Sequence, residues 1–285
     1  MKKILVTGSN GQLGNEISTL SSQFSQYEFF FTDQADLDIT DKNALKRVFE
    51  KYRFFACINA AAYTAVDAAE TDQEMAQKIN IEAVGNLAYL CDDYNAHLFH
   101  ISTDYVFDGK KSFPYTEEDE TAALNVYGET KAIGETLALQ HRCTFVLRTS
   151  WLYSNFGKNF VNTMLRLADQ KPQLSIVDDQ IGSPTYAADL AKAIFKILET
   201  PDFEKKSGLY HYSNEGIASW YDFAKAIFEL SNKNVDVLPL RTAQYPTPAQ
   251  RPLYSVLDKT KIKSAFDLEI PHWRESLQNC LSKQA

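Results

Sequence analysis

The first half of the chain alternates short apolar runs with longer stretches of helical spacing. Lys3 to Val6 is an apolar run, and Glu16 to Leu20 has helical character after a glycine-rich turn. Glu28 to Asp33 (Glu-Phe-Phe-Phe-Thr-Asp) reads as a second buried strand ending in an acid, and Asp41 to Tyr52 as a helix. Phe54 to Asn59 predicts a third strand, Glu74 to Tyr94 one long amphipathic helix, and His97 to Ser102 a fourth strand. A helix through Tyr127 and Lys131 and a fifth strand from Thr144 to Arg148 complete the run. Strands alternating with helices in this way predict an α/β fold, a doubly wound parallel sheet with right-handed crossovers.

After Tyr153 the alternation loosens. Phe160–Ala168, Ala187–Leu198 and Trp220–Leu230 read as helices, and Leu174–Val177, Gly208–Ser213 and Val235–Leu240 as strands. Tyr245 to Pro252 (Tyr-Pro-Thr-Pro-Ala-Gln-Arg-Pro) is a rigid loop of polyproline type, either a plain connector or a pre-organised pocket wall.

Candidate chemistry gathers at the strand ends. Gly8-Ser9-Asn10-Gly11-Gln12-Leu13-Gly14 stands between the first strand and the first helix, the context a dinucleotide fingerprint requires. Glycines there allow a tight turn and a close approach to a pyrophosphate, whose charge sits at the helix N-terminus. The spacing is G-x-x-G-x-x-G, so a glycine-rich turn without a ligand stays open on this motif alone. Asp33 ends the second strand, where a carboxylate accepts hydrogen bonds from an adenosine ribose and repels a 2'-phosphate. With no arginine beside it, NADH is expected to serve at least as well as NADPH. Asp38 and Ile39 either border the adenine or cap the next helix. The small residues of Ala60-Ala61-Ala62-Tyr63-Thr64 let backbone pass close to a ligand. These features predict a dinucleotide-binding Rossmann domain over residues 1–150, with 186–205 returning to it. Residues 151–285 are expected to form mainly a smaller α/β substrate-binding domain.

Tyr127 and Lys131 are four residues apart, which stacks them on one helical face. A phenol has a free pKa of about 10, and a nearby cation favours its ionised form, bringing Tyr127 toward proton exchange with a substrate oxygen.

Composition narrows the partners. The 285 residues carry 29 basic and 37 acidic side chains, a net charge of -8, which argues against nucleic acid as a main partner. No apolar run approaches the roughly 20 residues needed to span a bilayer, so a soluble, cytoplasmic protein is expected. Cys57, Cys91, Cys143 and Cys280 lie far apart, with Cys57 and Cys143 inside apolar runs that read as buried strands; reduced structural thiols are expected. His97 and His100 are an odd number apart and face opposite sides of a strand, and no metal-ligand spacing is found elsewhere, so no metal is expected.

The motifs together resemble the extended short-chain dehydrogenase/reductase family, and within it the dTDP-4-dehydrorhamnose reductases. The residues that carry the resemblance are Gly8-x-x-Gly11-x-x-Gly14, Asn59 to Asp67, Ser102-Thr103-Asp104-Tyr105-Val106-Phe107, Asn125 to Lys131, Arg148-Thr149-Ser150-Trp151 and Tyr245 to Pro252. The resemblance implies a C4 ketone on a dTDP-sugar, reduced by NADH or NADPH. It implies that Tyr127 is the general acid, that Lys131 holds the nicotinamide ribose and lowers the tyrosine's pKa, and that Thr103 hydrogen-bonds the carbonyl. It further implies that Tyr105 and Trp151 line the sugar pocket, and that Arg251 faces the nucleotide diphosphate. Packing for Trp151 and a surface ion pair for Arg251 are the alternatives. Tyr63 departs from a histidine common in relatives. Some relatives pair through a metal held by acidic residues, where Glu16 or Asp189 would contribute; the chain ends soon after Cys280, so monomer and homodimer both stay open. An epimerase of the same fold and a non-catalytic dinucleotide-binding regulatory subunit are the competing readings.

Overall fold

The structure is a computed structural model that describes residues 1–283. Its centre is a six-stranded parallel sheet: β1 (Lys2–Thr7), β2 (Tyr27–Thr32), β3 (Ala56–Asn59), β4 (His97–Thr103), β5 (Thr144–Thr149) and β6 (Gly208–His211). The strand order is β6-β5-β4-β3-β1-β2, so the direction of winding reverses between β1 and β3. Both sheet faces are covered, which is why the strands read as unbroken apolar runs rather than alternating ones. One face packs Ile4, Val6, Phe99 and Leu147 against α1 (Gln12–Ser21) and the helix Ala187–Glu199. The other packs Leu5, Cys57, Leu98 and Val146 against α2 (Lys42–Tyr52) and α3 (Ala83–Asp93). α4 (Val126–Leu139) follows, carrying Tyr127 and Lys131. A separate core around Tyr153, Met164, Tyr186, Phe223 and Trp273 holds much of the remaining chain together.

The fold matches the expected α/β class with a parallel sheet. Three local readings differ. The helix expected over 74–94 is interrupted by a wide π turn at Lys78–Glu82. The extra residue in that turn releases the Asn80 side chain inward, fully buried. There it accepts from Tyr63 N at 2.9 Å and donates to Tyr63 O and Thr130 Oγ1, both at 3.1 Å. Cys143 does not lie in a buried strand: it precedes β5, partly exposed, with φ at +56°, the turn residue that redirects the chain from α4 into the sheet. The segments Gly208–His211 and Thr260–Phe266, inside the half assigned to substrate, contribute to the central sheet and its core. Among the described residues no helix is long and apolar enough to cross a membrane.

Candidate active site

Ligands of wound sheets sit beyond the strand C-termini, where the winding reverses. A cleft of about 790 Å³ opens there. Gly8, Asn10, Gly11, Gln12 and Leu13 line one end, with α1 presenting its N-terminus. Gly8 has φ at +65°, and a Cβ on it would come within 2.6 Å of Ala61 N, so the loop runs flush against the chain leaving β3. Gly14 does not line the cleft; a Cβ there would lie 2.5 Å from Gly8 O, and its bareness seats α1 on the loop. Asp33, Asp38, Ile39, Ala61, Ala62 and Thr64 continue the lining. Tyr63 turns away: its hydroxyl donates to Asp72 at 3.1 Å and its backbone is held by Asn80.

Asp33 is partly committed. Its carboxylate accepts from Asn10 N at 3.1 Å and from Gln34 N at 2.7 Å, tying the end of β2 to the glycine loop.

At the centre of the cleft, Thr103 ends β4 and Tyr127 and Lys131 project from α4. The Asn125 side chain caps α4 by accepting from Gly128 N at 2.8 Å and donates to Gln250 O at 2.7 Å; Glu70 accepts from Val126 N at 2.9 Å. These bonds fix the first turn, and with it the Tyr127 ring, which meets Tyr105 edge-on at 5.9 Å.

The electrostatics differ from the sequence expectation. Burial pushes the Tyr127 phenol up to about 12, and a hydrogen bond with the Thr103 side chain only partly offsets it. Burial likewise lowers Lys131 to about 8, opposed by the charge of Glu135. The Lys131 ammonium donates to Ile101 O at 2.7 Å and lies 3.2 Å from His100 Nε2. In this arrangement desolvation dominates, the neighbouring Asp104 charge adds to it, and the phenol is held as a loaded acid. Beside them Asp104, also buried, accepts from Thr103 Oγ1 at 3.2 Å, and burial raises its carboxyl to about 7.

Trp151 and Tyr105 line the far end of the cleft. Trp151 has φ at +47°, a strained conformation for an aromatic residue. Its indole stacks on Trp220 with centroids 3.6 Å apart and planes 8° from parallel. Trp220 was not legible as a site residue, since its contact with Trp151 is made only by the fold. A Cβ at Gly182 would lie 2.7 Å from the Trp151 ring. Gly182→Ala is therefore expected to displace the indole pair and weaken binding of a ligand at this end of the cleft about tenfold, the worth of roughly one well-packed aromatic contact. Binding at the glycine-loop end is expected to stay unchanged; steady-state kinetics with each substrate varied checks the split. Arg251 lies outside the lining. Asp67 accepts from its guanidinium in two bonds of 2.9 and 2.7 Å, and Ala249 O takes a third at 2.8 Å, so it braces the proline loop.

Among the described residues four atoms suit the cleft to a polar ligand: Gln12 Oε1, Ser102 Oγ, Asp104 Oδ2 and Thr149 Oγ1 are buried without hydrogen-bond partners, and all four residues line it.

Known proteins resemble the chain over its whole length. The family model for the RmlD substrate binding domain matches residues 1–285. The dTDP-4-dehydrorhamnose reductase of Aggregatibacter actinomycetemcomitans is 42% identical over 288 residues, with 98% of each chain covered. The crystal structure of a dTDP-4-dehydrorhamnose reductase from Clostridium acetobutylicum superimposes with a TM-score of 0.94 at 40% identity, covering 99% of both chains. That of the Bacillus anthracis dTDP-4-dehydrorhamnose reductase in complex with NADP gives 0.95 at 39%, covering 99% of this chain and 100% of the other. A sheet wound about the β1/β3 crevice, a glycine loop at its mouth and relatives of this length and identity lead to one assignment: the chain belongs to the RmlD substrate binding domain family.

Proposed function

We propose that this protein reduces the C4 ketone of dTDP-4-dehydro-L-rhamnose to dTDP-L-rhamnose with NADH or NADPH. The observation that carries the reading is the convergence of Thr103, Tyr127 and Lys131 on the same cleft as the Gly8–Gly14 loop. Gly8, Asn10, Gly11, Gln12 and Leu13 would hold the pyrophosphate against the N-terminus of α1, while Asp33, Asp38 and Ile39 would border the adenosine. When bound, the reduced nicotinamide supplies the hydride. Tyr127, kept protonated by burial, gives its proton to the ketone oxygen as negative charge develops there. Thr103 donates to the same oxygen, and its hydroxyl has Asp104 as an alternative acceptor when the substrate is absent. Lys131 holds the nicotinamide ribose with the N–H left free by Ile101 and His100. Tyr105 and the Trp151–Trp220 pair wall the sugar.

Absorbance of NADH or NADPH, followed with dTDP-4-dehydrorhamnose generated in place by the preceding enzymes, tests the reading. One cofactor oxidised per ketone is expected. Interconversion of sugars with no net cofactor consumption would instead mark an epimerase and sink the proposal.

Asp33→Ala removes the acid that would face a ribose 2'-position. The ratio of kcat/KM for NADPH to that for NADH is expected to rise about tenfold, a change of one charged contact. Because Asp33 also ties down Asn10, kcat/KM with NADH is expected to fall at the same time. An unchanged ratio in the purified variant would misplace the ribose contact.

A further inference from the structure

Beneath the cleft a buried row of polar side chains leads to Lys131, and its other three members have no part in the chemistry above. Thr7, Asn59 and His100 are register partners across β1, β3 and β4, and Lys131 of α4 closes the row. Thr7 Oγ1 lies 2.7 Å from Asn59 Oδ1, Asn59 Nδ2 lies 3.1 Å from His100 Nδ1, and His100 Nε2 lies 3.2 Å from Lys131 Nζ. All four side chains are essentially buried.

Charge constrains the protons in this row. An ammonium can only donate, so contact with Lys131 requires a bare lone pair on His100 Nε2. A neutral imidazole with a bare Nε2 carries its proton on Nδ1. That N–H points at Asn59, which must then turn its amide oxygen to the ring and give its NH2 to Thr7 Oγ1. The half-turn of the amide needs no extra room, because its oxygen and nitrogen are nearly the same size. With the opposite tautomer, two N–H groups would confront each other unless Lys131 were uncharged.

We infer that His100 is a positioning residue: a neutral imidazole, protonated at Nδ1 and pinned by Asn59 and Thr7, that accepts from the Lys131 ammonium. Of the three ammonium N–H groups, Ile101 O takes one and His100 Nε2 a second, which leaves the third for the cleft. Burial and the lysine charge hold His100 well below the usual imidazole range, so it stays neutral. Tyr127 and Glu135 stand on the same helix as Lys131, Arg148 of β5 is paired to Glu135, and Asp104 beyond β4 and Lys78 of the π turn line the same cleft. Glu135 is the carboxylate that supports its charge, and His100 supports it with a lone pair.

The kinetic test rests on the reductase reading; the spectroscopic test does not. With the full chain labelled with 15N-histidine, His100 is assigned among five imidazoles by its loss in His100→Gln. At pH 7 Nδ1 is expected to be protonated and Nε2 bare, with the Nε2 signal moving as Lys131 titrates. A protonated Nε2 at pH 7 overturns the inference whatever the activity. In the pH dependence of kcat, His100→Phe removes the acceptor and disfavours the ammonium. The alkaline limb is then expected to move to lower pH by about one to two units, the effect of one hydrogen bond to a charge. His100→Gln keeps an acceptor oxygen and is expected to restore most of that shift. An unmoved limb in folded His100→Phe, or equal shifts in both variants, overturns the inference. If His100→Phe does not fold, the 15N spectrum decides. A wild type with the expected tautomer but no reductase activity would uphold the role of His100 and overturn the function.

Discussion

Tyr127→Phe is expected to lower kcat by two to three orders of magnitude, about 3–4 kcal/mol of transition-state stabilisation, while dinucleotide binding stays within a few-fold. The substitution keeps the ring, its edge contact with Tyr105 and its seat in the first turn of α4. What it deletes is the hydroxyl, the group that burial holds protonated with a pKa pushed up to about 12. In the reductive direction that is the useful state, because the ketone oxygen must gain a proton as it gains negative charge. Thr103 still has Asp104 to donate to, so no buried hydroxyl is orphaned and stability is expected to be nearly unchanged. Steady-state kinetics together with a fluorescence titration of the dinucleotide separates the two effects. Activity within tenfold of wild type would remove Tyr127 from the role of acid.

The second large effect concerns stability. Glu135 and Arg148 form an ion pair with side chains only 3% and 4% exposed; Arg148 Nη2 donates at 2.7 Å and Nε at 3.0 Å. The guanidinium lies over the Phe107 ring at 5.0 Å and 3.4 Å from His211 Nε2. Burial and the arginine charge hold His211 down at about 3, so it is neutral and offers a lone pair. Glu135→Leu leaves that guanidinium buried with no anion, and a loss of about 3–5 kcal/mol is expected. For a chain of this size the melting temperature should fall by roughly 10 °C. Adding Arg148→Met removes the stranded charge and is expected to recover most of the loss, since a buried pair is often replaceable by apolar side chains of similar volume. Denaturant melts of wild type, both single variants and the double variant give the coupling directly. Additive losses would show that the pair is not coupled. Glu135 also supports the charge on Lys131 one turn earlier, so the single variant is expected to lose activity at alkaline pH before wild type does.

How much of this was legible in the sequence depended on how local each cause is. β1 to β5 were legible because a strand covered on both faces is mostly apolar, and each such run of four to seven residues alternates with a helical stretch. The two-residue strands at Leu152–Tyr153, Ile181–Gly182, Thr185–Tyr186 and Ala218–Ser219 were not, since they exist only through partners distant in the chain. The π turn was hidden because Lys78 to Glu82 keeps helical composition, and the cause is the inward bonding of Asn80. At the site, the glycine loop and the Tyr127–Lys131 spacing carry their geometry with them. Tyr63 and Arg251 do not: Asp72 and Asp67 claim them, and no spacing in the sequence announces either pair. The tuning of Tyr127 was read from its lysine neighbour, whereas the depth of the site decides it.

The sixth strand carries a consequence for how the polypeptide can be divided. Gly208–His211 pairs along β5 from Phe145 to Arg148, although part of the second core, from Tyr153 to Tyr186, lies between them in the chain. A fragment stopped near residue 150 would present β5 as a bare margin of N–H and C=O groups, an invitation to self-association. Neither lobe can therefore be severed as an autonomous piece by cutting once. A single nick between Ser150 and Gly208 would leave the two products held together without a covalent link, β6 along β5 and Thr260–Phe266 in the same core.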